Sequence, residues 1–143
     1  MKLTYQLDNN AYSPRKSHSS DAGYDLFLKS NLTSLCIKPM ETVTLDTGVH
    51  VLIPEGYVGK VYPRSSSSSQ GLLVHTGIID AGYTGSIKIN VTFLGNEPGK
   101  IIMGAQRIAQ LVIEKLPEFE LEPGSVSSRK TERGSKGFGS SGM

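Results

Sequence analysis

The stretch SIKINVTF, residues 86–93, alternates four polar with four apolar side chains. A period of two predicts a β-strand with one face buried and the other in water. Residues 2–7 and 49–53 alternate in the same way, and turn-forming residues such as those at 54–56 separate the segments. Helical periodicity is nearly absent, so the sequence predicts about ten short strands in an all-β sandwich or barrel.

A run of five serines, residues 65–69, interrupts this pattern between a strand-like segment at 58–62 and an apolar one at 72–74. Low complexity of this kind is also found in linkers. Because the run is enclosed by two strands, we expect a tight loop with one short helical turn, whose hydroxyl and N–H groups can hold an anion.

The chain after Pro123 has few apolar residues and cannot order itself by burial. Its most distinctive part is RGSKGFGSSG, residues 133–142. Small residues let a backbone approach phosphates, and Arg133 and the serines add donors. Phe138 stands alone among glycines, which favours stacking on a flat group such as a base. Taken by itself, this segment could equally be a disordered terminus.

Composition sets broad limits on the protein. A chain of 143 residues with 37% hydrophobic content suits one domain with a modest core, so burial between subunits is possible. A net charge of +2 does not by itself indicate nucleic acid. Cys36 is the single cysteine, which excludes an internal disulfide, and we expect a buried strand thiol. The three histidines lack zinc-ligand spacing. With no apolar leader or membrane span, we expect a cytoplasmic protein.

Five segments in order resemble the five motifs of the homotrimeric deoxyuridine triphosphatases (dUTPases), including those of bacteria and phages. They are DAGYDL (21–26), PRSS (63–66), GIIDAGYTG (77–85), RIAQL (107–111) and the tail at 133–142. The resemblance implies a jelly-roll β-barrel whose three subunits share three active sites. It implies a barrel core at 1–123 with an exchanged C-terminal strand, and a flexible arm at 124–143 that crosses to a neighbour. Pro117 is a suitable hinge for that exchange.

The implied reaction is hydrolysis of dUTP to dUMP and pyrophosphate with Mg²⁺ on the phosphates, which limits uracil in DNA and supplies dUMP for dTMP synthesis. Asp80 is the candidate general base, because a carboxylate on a glycine-rich turn can deprotonate a water for in-line attack. The alternative is an aspartate that only caps the turn. Asp25 would face the metal through water, or else simply end a strand.

The remaining candidate residues bind substrate. The resemblance assigns the uracil edge to backbone groups of Gly77, Ile79 and Lys88, the deoxyribose to Tyr83, phosphate oxygens to Arg64, Ser65, Ser66 and Gln110, and closure over the nucleotide to Arg133, Phe138, Gly139 and Ser140. The plainer alternatives are a surface arginine before a helix cap, an outward-facing glutamine and a tyrosine packed at a hairpin edge.

Two positions depart from the family pattern: Lys136 and Ala105 each stand where glycine is usual. A dCTP deaminase of the same fold would need an arginine and a glutamate where this chain has Ser69 and Asn90, so deamination is disfavoured. A regulatory module that senses nucleotides, with a protein partner, is a second alternative. The substrate-site and tail residues favour retained catalysis.

Overall fold

The alternating stretch forms the strand β9 (Lys88–Phe93) in a computed structural model that describes residues 1–127, 129–139 and 142. Ile89, Val91 and Phe93 are buried, whereas Lys88 and Asn90 are exposed, as the period of two predicts. Thr92 belongs to the polar face but is also buried. Its hydroxyl lies 2.6 Å from Thr42 Oγ1 and 2.8 Å from His75 Nε2, so its polar atom is satisfied there.

The described residues form eleven strands and one helix, which confirms the all-β prediction. In chain order they are β1 (Thr4–Leu7), β2 (Tyr24–Phe27), β3 (Leu35–Ile37), β4 (Thr42–Asp46), β5 (Val49–Leu52), β6 (Tyr57–Pro63), α1 (Ser65–Ser69), β7 (Leu72–Val74), β8 (Gly77–Ile79), β9, β10 (Lys100–Ile102) and β11 (Arg107–Lys115). The serine run is therefore the short helical turn that the sequence predicts.

Four antiparallel sheets surround one apolar core. Their strand orders are β1-β5, β10-β3, β2-β11-β6-β8 and β4-β9-β7. The buried side chains come from all four sheets and include Leu26, Ile37, Val49, Ile89 and Leu111. Strand β11 lies between β2 and β6, and β6 also pairs with β8, so four of the five predicted motifs contribute to one sheet.

The prediction of a buried Cys36 is wrong, since its side chain is exposed. Successive residues of a strand point to opposite faces, and in β3 the core face is taken by Leu35 and Ile37. Cys36 therefore points outward, opposite Ile101 of β10, which is exposed as well.

The chain leaves the barrel after β11. Leu116 N–H still donates to the Gly56 carbonyl at 2.8 Å, whereas the described residues from 117 onward are all exposed. No helix in the described part of the chain is long and apolar enough to cross a membrane.

Candidate active site

A polar pocket of about 260 Å³ opens where β2, β6 and β11 meet the start of α1. Eight residues line it: Ser17, Asp21, Ala22, Gly23, Asp25, Arg64, Ser65 and Gln110. The strand register brings them together, because Gln110 of β11 pairs with Asp25 of β2 on one side and with Tyr62 of β6 on the other. Four of the predicted residues are therefore neighbours in space.

Asp25 lies between two guanidinium groups. Arg64 Nε donates to its Oδ1 at 2.8 Å, and Arg107 Nη1 approaches its Oδ2 at 3.3 Å. Asp25 is 9% exposed, so these contacts are only partly screened by water. The N–H groups of both guanidiniums that Asp25 does not use suit the oxygens of a polyphosphate.

Gln110 depends on a glycine across the sheet. Its Nε2 donates to the Pro63 carbonyl at 3.0 Å. A Cβ at position 23 would overlap Gln110 Oε1 and lie 3.0 Å from Gln110 Cβ and Cδ. Gly23 therefore leaves the space that this amide occupies, and Gln110 lines the pocket from the half-buried face of β11.

Helix α1 is anchored by one of its serines. Ser67 is buried, and its hydroxyl donates to the Ile108 carbonyl at 3.0 Å. Ser66 Oγ accepts from Arg64 Nη1 at 3.0 Å, and Ser65 lies at the pocket wall. The serine run thus ties the end of β6 to β11 and orients Arg64.

The turn after β8 carries Asp80 and Tyr83 on the surface. Tyr83 N–H donates to the Asp80 carbonyl at 3.1 Å, and Gly82 between them has φ +87°. Tyr83 Oη donates to the Ser86 carbonyl at 3.0 Å. A Cβ at Gly85 would overlap this hydroxyl and lie 2.6 Å from Tyr83 Cζ, so only glycine lets the ring take this position.

Asp46 holds the end of this turn. Its Oδ1 accepts from the Ser86 hydroxyl and from Gly48 N–H, and Lys29 Nζ lies 3.6 Å from Oδ2. Burial is the largest single effect and raises the pKa of Asp46. The hydrogen bonds from Ser86 and Gly48, together with the charges of Lys29 and Lys88, outweigh it and leave the pKa below its usual value.

The two halves of the predicted site lie apart within one chain. Ile79 pairs with Gly59, which precedes Arg64 by five residues of the extended strand β6. At about 3.3 Å per residue, roughly 17 Å separates Arg64 from that end of β8. Asp80 lies one residue farther away still.

The three residues predicted to read the uracil lie on two strands. Gly77 and Ile79 belong to β8, which is the last strand of its sheet, so one side of its backbone faces away from the sheet. Lys88 begins β9 and pairs with Asp46 of β4. Asn90, at the position decisive for a deaminase, accepts from Thr44 Oγ1 at 2.7 Å and is engaged in a cross-strand contact.

The tail makes local contacts only, among the residues described. Arg133 Nε donates to the Lys136 carbonyl at 2.8 Å, and Gly134 N–H donates to Thr131 Oγ1 at 2.9 Å. Phe138 is fully exposed, and Gly139 is exposed as well. Ser140, which we also expect to bind substrate, lies outside the described residues.

Several residues at or beside the polar pocket were not predicted as site residues. Residues 21–23 belong to the first motif and Arg107 to the fourth, without an assigned role, and Ser17 lies outside the motifs. Arg107 Nη1 contacts both Asp25 and Ser17 Oγ, the latter at 3.4 Å. The charge of Arg107 beside Gln110 was a usable signal, whereas nothing local distinguishes Ser17 from other surface serines.

The carboxylates at the polar pocket suit a metal ion that arrives bound to the substrate's phosphates. They do not form a metal site built from protein ligands alone. The described residues contain no group of three or more His, Cys, Asp or Glu side chains placed to hold a metal. Asp21 and Asp25 line the pocket, and both oxygens of Asp25 already accept from arginines. Mg²⁺ retains several waters and uses few protein carboxylates, so this set fits an ion bound through water and phosphate oxygens.

The sequence matches the family model described as dUTPase over residues 9–142. It is 38% identical to the deoxyuridine 5′-triphosphate nucleotidohydrolase of Clostridium kluyveri over 143 residues, which cover 98% of this chain and 96% of that protein.

Two solved phage structures are similar to the fold. The dUTPase of Staphylococcus bacteriophage 80alpha with dUPNHPP superposes with a TM-score of 0.90, at 35% identity and 99% coverage of both chains. A mutant dUTPase from phage phi11 of S. aureus, whose description names a structural Mg(II) ion, gives 0.79 at 32% identity, covering 87% of this chain and 97% of that one. This similarity confirms the predicted jelly-roll fold.

Proposed function

From the premise that this chain belongs to the dUTPase family and is a dUTP diphosphatase, we propose that Asp80 activates the attacking water. The Asp80 carboxylate takes a proton from the water as its oxygen attacks a phosphorus of dUTP in line. The bond that joins dUMP to pyrophosphate breaks, and both products leave as anions. Asp80 is exposed on a turn with φ +87° at Gly82, so its carboxylate is accessible to solvent and substrate.

The proposal is carried by the polar pocket, where Arg64 and Gln110 present donors beside Asp25, and Arg107 approaches the same carboxylate. Arg64, Ser65 and Ser66 hold phosphate oxygens, and the Gln110 amide adds a further hydrogen bond. Asp25 orients both arginines and would hold Mg²⁺ through water. Mg²⁺, when bound, would neutralise charge that develops on the phosphate oxygens.

Base and sugar are selected at β8 and its turn. The outer edge of β8 offers backbone groups of Gly77 and Ile79 to the uracil, and mismatched bases leave such groups unpaired. Lys88 contributes at the start of β9. The Tyr83 ring, which lies over Gly85, packs against the deoxyribose where a 2′-hydroxyl would clash.

We infer a trimer with shared sites from the separation within one chain. A general base must lie within about 3 Å of the water it deprotonates. The backbone of Asp80 is more than about 17 Å from that of Arg64 along β6 and β8, which favours a site whose two halves come from different subunits. A neighbouring subunit would supply the missing half, and the segment from residue 117 onward, whose described residues are exposed, is available to cross to it.

The tail completes the site in this proposal. Residues 124–143 form an arm beyond the 1–123 core, in which Arg133 reaches the terminal phosphate and Phe138 covers the uracil. Gly139 and Ser140 bring backbone and hydroxyl donors to the phosphates. Full exposure of Phe138 in the single chain fits a ring whose partner is a nucleotide on another subunit.

The role of Asp80 is tested with Asp80→Asn, which preserves shape and removes the base. Turnover of dUTP to dUMP and pyrophosphate should fall by at least about a thousandfold while dUTP still binds, measured by product release and calorimetry. Glu55→Gln, in an exposed turn, is the matched control. Turnover of Asp80→Asn within tenfold of the unaltered protein would exclude Asp80 as the base.

The shared site is tested by complementation. A chain ending at Glu132 should fold normally, judged by its melting temperature, and lose turnover. Subunits of this truncation, mixed with Asp80→Asn subunits by co-refolding, should regain part of the activity, because some sites then combine an intact arm with an intact Asp80. Mixed trimers without activity would contradict the shared site, and full activity of the truncation alone would contradict the role of the tail.

The cellular role follows from the chemistry. Removing dUTP limits uracil in DNA and supplies dUMP for dTMP synthesis, a task suited to the cytoplasm. Ammonia release from dCTP would support the deaminase alternative, which the engaged Asn90 disfavours.

A further inference from the structure

The ring of His50 lies between the turn after β8, which carries Asp80 and Tyr83, and the end of β1. Its Nδ1 is 2.7 Å from the Thr84 carbonyl, and its Nε2 is 2.9 Å from Asp8 Oδ1. Both partner atoms are acceptors only, since a carbonyl and an ionised carboxylate have no proton to give. The ring satisfies both contacts only when both nitrogens carry protons, which is the imidazolium form.

The turn carrying Asp80 and Tyr83 is held through these contacts. Thr84 directly follows Tyr83, whose N–H closes the turn on the Asp80 carbonyl. A neutral ring donates from one nitrogen only. Its other lone pair then faces an acceptor oxygen at less than 3 Å, which is repulsive and loosens one of the two contacts.

We propose that His50 is a positioning residue for dUTP hydrolysis, whose imidazolium form bridges Asp8 and the Thr84 carbonyl and so holds the turn of Asp80 and Tyr83 in place. This inference rests on the proposed roles of Asp80 and Tyr83. It concerns a residue outside every motif, in the strand β5.

The surroundings of His50 support its charged form. The hydrogen bond to the Thr84 carbonyl has the largest effect on the pKa of His50, followed by that to Asp8, and they raise it above its usual value despite partial burial. Asp46, at the end of β4, contributes a further negative charge, which Lys29 and Lys88 partly offset.

Solvent reaches the ring, so its protonation follows the pH. His50 and Thr84 line a hollow of about 240 Å³ together with residues of β1 and β5. Tyr5, the remaining titratable group of that hollow, donates its hydroxyl to Ser13 and leaves the ring nitrogens to Asp8 and Thr84. The bridge that His50 forms between Asp8 and the turn is therefore complete below the raised pKa, and it is broken at one of its two ends as the pH increases through that pKa.

The first measurement follows the turn itself. In amide NMR spectra of the full-length protein, the N–H signals of Tyr83 and Gly85 should titrate with the same midpoint as the His50 ring. His50→Gln should abolish that titration. Asp8→Asn, which keeps an oxygen acceptor and removes the charge, should move the midpoint to lower pH. Amide signals of the turn that do not titrate, or that titrate with a different midpoint from the His50 ring, would overturn the proposal.

The second measurement is the pH dependence of kcat and KM for dUTP. In the unaltered protein, kcat should fall by about fivefold as the pH increases through the His50 midpoint, a factor that one hydrogen bond supports. At every pH, His50→Gln should have the reduced kcat that the unaltered protein shows above the midpoint, and its kcat should not fall through that pH range. In Asp8→Asn this falling limb of the pH profile should move to lower pH. Ionisation of dUTP itself is common to all variants and cancels in their ratios.

The control is His75→Gln, which removes a ring that contacts Thr92 on β9. It should retain the limb. A limb that persists unchanged in both His50→Gln and Asp8→Asn would overturn the proposal. An active Asp80→Asn protein would instead refute the role of Asp80, and the NMR titration would still decide whether His50 holds the turn.

Discussion

Gly23→Ala should damage both the stability of the fold and the binding of phosphate, for one geometric reason. The new Cβ would overlap Gln110 Oε1 and lie 3.0 Å from Gln110 Cβ and Cδ, where unstrained carbon atoms are about 3.5–4.0 Å apart. Gln110 Cβ is attached to the backbone of β11 and cannot rotate away. The side chain must therefore leave its position, and the strands must separate slightly.

The cost can be estimated from two parts. Overpacking of this kind typically costs about 1–3 kcal/mol. Loss of the 3.0 Å hydrogen bond from Gln110 to the Pro63 carbonyl adds about 0.5–1.5 kcal/mol. The free energy of unfolding should thus decrease by about 3 kcal/mol, which corresponds to a melting temperature lower by roughly 10 °C. Because Gln110 then misses the phosphates, KM for dUTP should rise about tenfold.

The assay is a double-mutant cycle with Gln110→Ala, measured by thermal unfolding at one protein concentration and by pyrophosphate release. Removing the glutamine side chain relieves the overlap with Oε1 and Cδ, so the double variant should be less destabilised than the sum of the single variants by about 1–2 kcal/mol. Gly124→Ala is the control, because a Cβ there meets no atom within 4 Å. Strict additivity, or a normal melting temperature for Gly23→Ala, would refute the packing argument.

Three further outcomes follow from local geometry. Ala105 has φ +65°, so Ala105→Gly should raise the free energy of unfolding by about 1 kcal/mol in denaturant titrations, and a decrease would contradict the strain. Ser67→Ala should cost about 1–2 kcal/mol because it removes a buried donor, whereas the exposed Ser68→Ala should cost almost nothing in the same titration. Because the pKa of Asp46 is lower in the folded state, its ionised form stabilises the fold at pH values above the unfolded pKa of 3.8. This stabilisation is lost as the pH falls through the lower pKa of the folded state. Ser86→Ala should therefore weaken the dependence of the melting temperature on acid pH.

The secondary structure was predictable where it depends on a clear alternation of side chains or on contacts between residues close in sequence. Residues 88–93 of the alternating stretch and the serine turn at 65–69 formed as expected, because side-chain orientation and short hydrogen bonds depend on neighbours in sequence. The burial of Cys36 was predicted wrongly because it does not depend on local sequence alone. Its burial depends on which face of β3 meets the core, and a strand of three residues is too short to show that.

The site was predictable as a set of residues but not as an arrangement. The motifs identified Asp25, Arg64, Gln110 and Asp80 by type and spacing. Spacing along the chain does not reveal that Arg64 and Asp80 lie at opposite ends of β6, because that follows from the register of β6 with β8. The same holds for Arg107, whose pairing with Asp25 requires β2 and β11 to lie side by side.

By itself, the sequence determined the all-β class, the family and the chemical types in its site, since these depend on local periodicity and on the order of short motifs. Only the tertiary structure decided that Gly23 makes room for Gln110, that Asp25 is shared by two arginines and that His50 bridges Asp8 to the turn after β8. Each of these contacts joins residues far apart in the chain, and their distances depend on the register and packing of strands. Hydrogen bonds and overlaps change over a few tenths of an ångström, so such contacts are decided in three dimensions.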